Sequence, residues 1–471
     1  MREVVSAMAQ METTIRTEDI IGEPVIVRRL IRRATIESLT SNGSVAAAVM
    51  VAAALAAIVV ANTDAYYPIH DLLETPIWCG IGSIGVSITI EGFINDFLMA
   101  IFFLLVGVEL KYELTVGVLT EPRQAAAPML AACGGVACPA LIFFLVNTMG
   151  GGHPEGWAIP VATDIAFALG IMSLMGDKVA PAAKVFFSTL AIADDVIGIL
   201  IIALFYGQTP SLPWIVLSLA MVIVLAAIKR AKVYRTRWYL LAGLLLWACM
   251  FRSGIHATLA GVILAFFLPD GSELKLSEVM AWLHDQGSEM SRVYRDEEHV
   301  LGQHDFTSAA SRVERVMHQV TPPLQRVESA ISTPVNFLVL PLFAFANAQL
   351  RIIGIDSSSL VCDPVAHGVF FGLVLGKPIG IVLVTWILSK TGFAALPEGA
   401  DWAQMCCVGI FGGIGFTMCI LIAGLSFGDG PERLAAKCAI LLASMTASIL
   451  GILFITAMQY LQGKVRESER T

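Results

Sequence analysis

The amino-acid sequence predicts an all-α, polytopic membrane protein of about twelve transmembrane helices. Three observations support this prediction: 56% of the 471 residues are hydrophobic, 14% are charged, and the mean hydropathy is +0.76. In an ordinary soluble domain about 25% of the residues are charged. A chain with so little charge and with long apolar runs is therefore expected to place most of its length in a lipid bilayer.

The predicted helices are mostly apolar runs of roughly 16 to 28 residues, where a straight span needs about 20. They start near Val45, Phe93, Ala126, Gly156, Ala182, Leu212, Arg237, Gly254, Val327, Asp363, Ala403 and Leu434. An even number of spans places both chain termini on one side of the membrane. Most of the 30 Lys and Arg residues lie in the tails and loops of that side. The positive-inside rule then predicts that both termini are cytoplasmic.

The same pattern divides the chain into five parts. Residues 1–44 are a polar cytoplasmic tail, residues 45–268 hold helices one to eight, and residues 269–326 are a polar cytoplasmic loop. Residues 327–463 hold helices nine to twelve, and residues 464–471 form a second cytoplasmic tail. The N-terminal tail contains no apolar core of the signal-peptide type, so its removal is not expected.

Composition argues against several other classes of protein. The net charge of -8 argues against a nucleic-acid partner, which would require a basic surface. The nine cysteines include no CxxC pair, so thiols packed in the membrane are expected rather than a metal site. The histidines of residues 269–326 lack the spacing of metal ligands, which indicates a solvated loop. No Walker A string occurs, and no cofactor is predicted.

Four charged residues lie near the centres of predicted spans: Asp164, Asp194, Asp195 and Lys377. A charge in that position costs about 2.5 to 3.5 kcal/mol on the insertion scale, and such residues usually mark an ion or proton path. A buried ion pair that only joins two helices is the structural alternative. Because three carboxylates accompany a single ammonium group, the surplus of acid favours an ion-binding site.

The chemistry of these residues suits exchange of a proton for a cation. Asp194 and Asp195 are adjacent, so on a helix their side chains point about 100° apart and cannot face one partner equally. Desolvation favours the protonated form of a carboxyl group, which can then release its proton when a small cation arrives. Carboxylate oxygens are ligands for hard cations such as Na+ and Li+. Lys377 can neutralise a carboxylate when the cation is absent.

Two predicted spans contain helix-breaking residues. Pro160 lies four residues before Asp164, and Thr163 offers a hydroxyl group and a backbone carbonyl at that point. Four glycines crowd residues 409–415 of the eleventh run. Close helix packing is the alternative explanation for glycines alone. However, the two interrupted spans occupy the middle of helix triplets of opposite direction, which predicts inverted-topology repeats with two interrupted, crossing helices.

These residues resemble the NhaA family of bacterial sodium/proton antiporters. The resemblance rests on the strings NDFLMAIFFLLVGVELKYEL, GWAIPVATDIAFALG, LAIADDVIGILIIALFY, SGIHATLAG, LPLFAFANA, GKPIGI and GGIGFTM. It implies that Asp194 and Asp195 bind the cation and the proton, and that Thr163, Asp164 and Lys377 compensate charge where two broken helices cross.

The resemblance also implies roles nearer the two membrane surfaces. Glu109, Glu113 and Glu328 match the family's acids of the cytoplasmic funnel, which are associated with the response to pH. Asp96 matches an acidic residue near the outer end of the second helix, and His256 matches a histidine near the outer face. The chain departs from the family just before the ninth helix, where Ser329 and Ser332 stand in place of histidines often found there.

The sequence therefore predicts an electrogenic Na+(Li+)/H+ antiporter of the bacterial inner membrane that expels cytoplasmic sodium by alternating access and is regulated by pH. The expected partners are Na+, Li+, H+ and the lipid bilayer. The resemblance to the family also implies a homodimer, to which a short hairpin predicted at residues 79–90 contributes. One alternative is a proton- or sodium-coupled symporter of another solute, and a second is a passive cation channel. An intramembrane aspartyl protease is disfavoured because adjacent aspartates cannot meet face to face.

Overall fold

The computed structural model describes residues 43–81, 84–120, 122–207, 211–271, 276–295, 298–299, 302–351, 362–394, 396–397, 399–428 and 430–468. The predicted N-terminal tail, residues 1–44, lies outside the described residues except for its last two. The division of the chain into five parts remains a prediction. The last helix continues to Ser468, beyond residue 464, where the second tail is predicted to start.

The described part of the chain is almost entirely helical, as predicted. The helices of its first half are α1 (Gly43–Ala61), α2 (Tyr66–Glu74), α3 (Ile90–Thr115), α4 (Pro122–Gly150), α5 (Ile165–Leu174), α6 (Pro181–Phe205), α7 (Leu212–Arg230), α8 (Thr236–Ser253) and α9 (Leu259–Phe267). Those of its second half are α10 (Leu276–Val293), α11 (His304–Val320), α12 (Pro323–Asn347), α13 (Pro364–Lys390), α14 (Trp402–Gly412), α15 (Phe416–Ser426) and α16 (Pro431–Ser468).

Judged by the length and composition of the helices, the structure has fewer membrane spans than the twelve that the sequence predicts. Within the described residues, nine helical segments are long and apolar enough to cross a membrane, or ten when the bent pair α14 and α15 counts as one. The two other predicted spans correspond to α8, which has Arg237 and Arg252 near its ends, and to α9, which has only nine residues. The protein is therefore an all-α polytopic membrane protein, and the number twelve stays a prediction.

A two-stranded antiparallel hairpin precedes α3. Strand β1 (Pro76–Ile81) pairs with β2 (Ile84–Thr89), in a register that joins Pro76 to Thr89 and Ile81 to Ile84. The hairpin expected at residues 79–90 therefore begins three residues earlier than predicted. Its alternating isoleucines and small residues suit a pleated ribbon.

Three long helices contain a π-helical segment: Phe93–Leu98 in α3, Val335–Val339 in α12 and Gly372–Gly376 in α13. A π-helical segment inserts extra backbone into an α-helix and rotates the residues that follow it relative to those before. The segment in α13 ends immediately before Lys377. It therefore sets the direction in which this side chain leaves the helix.

Small residues bring the helices of the core into backbone contact. A Cβ atom at Gly380 of α13 would lie 2.1 Å from the carbonyl oxygen of Gly134 in α4, and one at Gly261 of α9 would lie 2.1 Å from the carbonyl oxygen of Ala100 in α3. Van der Waals packing between small residues is the usual basis of helix association in membranes. The first close approach holds α13 against α4, and the second holds α9 against α3.

Candidate functional site

The first interrupted span consists of a 3-10 segment followed by α5. The 3-10 segment, Pro154–Val161, contains Pro160, which has no backbone N–H to donate within a helix. The chain then becomes extended at Ala162, with ψ of 150°, and at Asp164, with φ of -91° and ψ of 95°. The break predicted from Pro160 is therefore present, and it exposes backbone polar groups in the middle of the span.

The second interrupted span consists of α14 and α15, which bend by 41° at their junction. The two interruptions contact each other through backbone groups. The N–H of Asp164 donates to the carbonyl oxygen of Ile414 at 2.7 Å, and the thiol of Cys419 donates to the carbonyl oxygen of Ala162 at 3.3 Å. Each broken helix thus satisfies hydrogen-bonding groups that the other leaves open.

Asp164 caps the first turns of both α5 and α15. Its Oδ1 accepts the N–H of Phe167 at 3.0 Å, while its Oδ2 accepts the N–H of Thr417 at 3.0 Å and the hydroxyl of Thr417 at 2.5 Å. The residue is buried. Because the N-terminus of a helix carries partial positive charge, a single carboxylate here balances two helix ends.

Asp194 lies in the middle of α6 and pairs with Lys377 of α13. The Lys377 ammonium contacts Asp194 Oδ2 and donates to Thr163 Oγ1 at 2.9 Å. The Thr163 hydroxyl lies 2.7 Å from Asp194 Oδ2 and 3.2 Å from the carbonyl oxygen of Gly412, at the end of α14. Asp194 and Lys377 are both fully buried, with 0% of each exposed. Thr163 therefore links the ion pair to both interrupted spans.

Asp195 points away from this ion pair. It is 4% exposed and lines a small cavity together with Phe103, Ala162, Gly198 and Met418, among other apolar residues. Within the described residues, Asp195 Oδ2 and Asp194 Oδ1 are buried and have no hydrogen-bond partner. Buried carboxylate oxygens without a partner are unfavourable unless a proton or a cation binds them. The two adjacent aspartates thus offer unsatisfied oxygens that could hold either.

Comparison with known proteins places the chain in a family. Residues 37–455 match the family described as Na+/H+ antiporter 1. The chain belongs to this family. It is 39% identical to the Na(+)/H(+) antiporter NhaA of Oleidesulfovibrio alaskensis over 409 residues, which cover 87% of this chain and 90% of the relative.

Two other relatives of the chain have the same name. Identity to the Na(+)/H(+) antiporter NhaA of Escherichia coli O139:H28 is 40% over 408 residues, covering 86% of this chain and 93% of the relative. Identity to the Na(+)/H(+) antiporter NhaA of Helicobacter pylori strain HPAG1 is 39% over 415 residues, covering 86% and 91%. Both alignments thus cover most of each chain.

The predicted funnel acids form a second group on α3 and α12. Glu109, Glu113 and Glu328 are each partly buried, and the charges of Glu113 and Glu328 repel the carboxylate of Glu109. The charge of Glu109 also acts on Asp195. Glu113 and Glu328 therefore both lie near Glu109, and Glu109 in turn is close enough to Asp195 for the two charges to interact.

Asp96 and His256 both line a cavity of about 80 Å³ at the other end of α3. His256 Nε2 lies 2.6 Å from the carbonyl oxygen of Tyr206, at the end of α6. The cavity is also lined by Asn95, Thr258, Asn347, Ile420, Leu421, Gly424, Leu425 and Arg433. Leu421 lines both this cavity and the small cavity beside Asp195, so the two are neighbours.

Sequence reasoning missed several polar residues around the site. Asn347 Nδ2 donates to Asn95 Oδ1 at 2.6 Å, joining α12 to α3 beside the outer cavity. Thr417 completes the cap formed by Asp164. Lys111 of α3 donates to the carbonyl oxygen of Phe266 at 3.1 Å and so closes the C-terminal end of α9. For Asn347 and Thr417 the available signal was a polar side chain within an apolar string, whereas Asn95 and Lys111 have charged residues close by in the sequence.

Proposed function

We propose that this membrane protein is a secondary transporter that exchanges Na+ for H+, with Asp194 and Asp195 as the residues that bind both ions. The main support for this proposal is that these adjacent, buried aspartates each have a side-chain oxygen with no hydrogen-bond partner among the described residues. Membership of the Na+/H+ antiporter 1 family supports the same proposal. Three relatives named as Na(+)/H(+) antiporters support it as well.

The ion pair suggests how cation binding begins. Na+ and Li+ prefer oxygen ligands, which Asp194, Asp195 and the Thr163 hydroxyl can supply. Because the Lys377 ammonium contacts the same Asp194 oxygen as Thr163, an arriving cation must displace the ammonium group. Lys377 thus neutralises Asp194 whenever Na+ is absent, and it competes with Na+ for the same carboxylate.

Proton coupling follows from burial of the two carboxyl groups. A buried carboxyl group favours its neutral form, so protons occupy the site when no cation is present. If one Na+ displaces both the proton held by Asp195 and the proton that the Lys377 ammonium shares with Asp194, each cycle moves unequal charge across the membrane. We therefore propose electrogenic exchange, driven by the proton gradient and directed to the export of cytoplasmic Na+ or Li+.

Access to the site is proposed to alternate between two vestibules. Glu109, Glu113 and Glu328 form the acidic vestibule on the cytoplasmic side, where they attract cations and respond to pH. Asp96 and His256 line the vestibule on the opposite side. The interrupted spans meet between the two vestibules, and Asp164 keeps their helix ends neutral as they move.

The remaining predictions concern the cell. We propose location in the bacterial inner membrane with both termini cytoplasmic, because Lys and Arg residues concentrate in the loops of one face. A homodimer to which the β1–β2 hairpin contributes is proposed from the family resemblance.

A symporter of an organic anion is the second candidate, and one observation weakens it. In broken-helix transporters the positive helix ends face the anionic group of the substrate. Here the first turns of α5 and α15 are already occupied by the carboxylate of Asp164. An anionic solute would have to displace this carboxylate.

The proposal is tested with everted vesicles in which respiration first establishes a pH gradient. Added NaCl should dissipate the gradient in vesicles that hold the parent protein, while choline chloride at the same concentration should not. Vesicles with Asp195→Asn, expressed to the same level, should keep the gradient. Sodium current without a pH change would identify a channel, and a requirement for a third solute would identify a symporter.

A further inference from the structure

A cavity of about 810 Å³ lies apart from the buried aspartates, between the start of α8, one face of α11 and the start of α12. This volume is within the range of pockets that bind small molecules. Its lining consists of Lys232, Val233, Tyr234, Arg235, Thr236, Arg237, Ser311, Glu314, Arg315, Gln319, Arg326 and Ala330. The cavity lies on the side predicted to be cytoplasmic.

The lining is strongly basic. It contains the cationic residues Lys232, Arg235, Arg237, Arg315 and Arg326 with one carboxylate, Glu314, in a chain whose net charge is -8. Neither Arg235 nor Arg315 forms an ion pair within the described residues. An anion that entered the cavity would therefore meet guanidinium groups from two separate helical segments.

The start of α8 adds further donors. Arg235 is the residue that precedes the helix, and its side chain makes no capping hydrogen bond. The Thr236 hydroxyl oxygen is buried and has no hydrogen-bond partner among the residues described. The N-terminus of an α-helix attracts anions through its open N–H groups and its dipole. Thr236 can therefore donate to a ligand in the cavity together with the first N–H groups of α8.

We propose that this cavity binds a phosphate-bearing solute of the cytoplasm with at least two negative charges. A guanidinium group matches the geometry of phosphate and donates two parallel hydrogen bonds to it. The wall formed by α11 is polar, with Ser311, Glu314 and Gln319, which suits a soluble ligand rather than the acyl chains of a lipid. This site gives the polar segment at residues 269–326 a function that ion exchange does not require.

The test measures binding of tripolyphosphate, added as its Tris salt, to the purified full-length protein. The probe should raise the melting temperature of the parent in a saturable manner, whereas sulfate at equal ionic strength should not. Arg235→Gln and Arg315→Gln should each weaken the apparent affinity about tenfold, the usual effect of losing a hydrogen bond to a charged group. Arg230→Gln is the matched control, because it removes a charge nearby without lining the cavity.

Three outcomes would overturn the proposal. Equal weakening in Arg230→Gln and Arg315→Gln would show general attraction of anions, and an unsaturable response would show screening alone. Stabilisation by phosphatidylglycerol that depends on Arg315, with none by tripolyphosphate, would make the cavity a lipid site. Should Arg315→Gln melt well below the parent before any ligand is added, Arg315→Lys serves instead, because it keeps the charge and loses the bidentate geometry.

Discussion

The ammonium group of Lys377 contacts Asp194, while the carboxylate of Asp164 accepts hydrogen bonds from Phe167 and Thr417 at the starts of two helices. The sequence predicts that one lysine compensates a surplus of buried acid, without saying which. Three buried carboxylates are consequently in three different states: Asp164 is balanced by helix ends, Asp194 by an ammonium, and Asp195 has no countercharge of its own within the described residues.

The first prediction separates the two adjacent aspartates. Asp194→Asn leaves the buried Lys377 ammonium without its countercharge, and breaking a buried pair in this way costs about 3 to 5 kcal/mol. Asp195→Asn leaves the ion pair of Asp194 and Lys377 intact and removes a charge that forms no ion pair among the described residues. Both variants should lose Na+/H+ exchange, but only Asp194→Asn should melt at a clearly lower temperature in detergent. Asp195→Glu, which retains the charge, is the control for side-chain size. Equal melting temperatures for the two Asn variants would contradict the assignment of the pair.

The second prediction concerns Lys377 as the partner of Asp194. Lys377→Met leaves the buried carboxylate of Asp194 without its countercharge, so this variant should have a lower melting temperature than the parent. Combining it with Asp194→Asn removes both charges, so the double variant should recover much of the stability of the parent while exchange stays abolished. Melting temperatures of the parent, both single variants and the double variant form the thermodynamic cycle. Additive losses in the double variant would show that the two side chains stabilise the fold independently.

Much of this site could be predicted because burying a charge in lipid is costly, so charged residues within apolar runs of a sequence are rare. Asp164, Asp194, Asp195 and Lys377 stand out against apolar neighbours, and the structure buries all four. Pro160 likewise predicts the break that precedes α5, because proline cannot donate a backbone hydrogen bond. These signals are local in the sequence, so they can be recognised without knowledge of the tertiary structure.

The partners of these residues could not be predicted, because they depend on backbone irregularities. The π-helical segment Gly372–Gly376 turns Lys377 relative to the residues before it, so regular helical periodicity does not give its direction. Thr417 reaches Asp164 only because α14 and α15 meet at an angle. The number of membrane spans also depends on irregular helices, because α9 has nine residues and is too short to cross a membrane alone.

The third prediction concerns the shared cap at Asp164. Asp164→Asn should lower the free energy of unfolding by about 2 kcal/mol, because the amide that replaces one oxygen cannot accept from Thr417 and the charge is lost. Thr417→Val removes the hydroxyl donor alone and should cost about 1 kcal/mol. Asp363→Asn is the matched control, since Asp363 caps only α13, at a partly exposed position. A loss in Asp363→Asn as large as that in Asp164→Asn would refute a special contribution of the double cap.

The final prediction concerns competition between the proton and the cation at Asp194 and Asp195. If both ions occupy the same buried carboxylates, lowering the pH fills the site with protons, so more Na+ is needed to displace them. On the acidic side, the apparent KM for Na+ should then rise with each unit that the pH falls, by up to about tenfold for each proton that one Na+ displaces, while the maximal rate changes little. The measurement is the initial rate of exchange against Na+ concentration at several pH values, kept equal on both sides of the membrane. Glu109→Gln provides the comparison, because it alters a vestibule acid and should shift the maximal rate more than the slope of KM against pH. A KM that stays constant from acidic to alkaline pH, with only the maximal rate falling, would refute a shared site and would make Glu109, Glu113 and Glu328 a separate pH sensor.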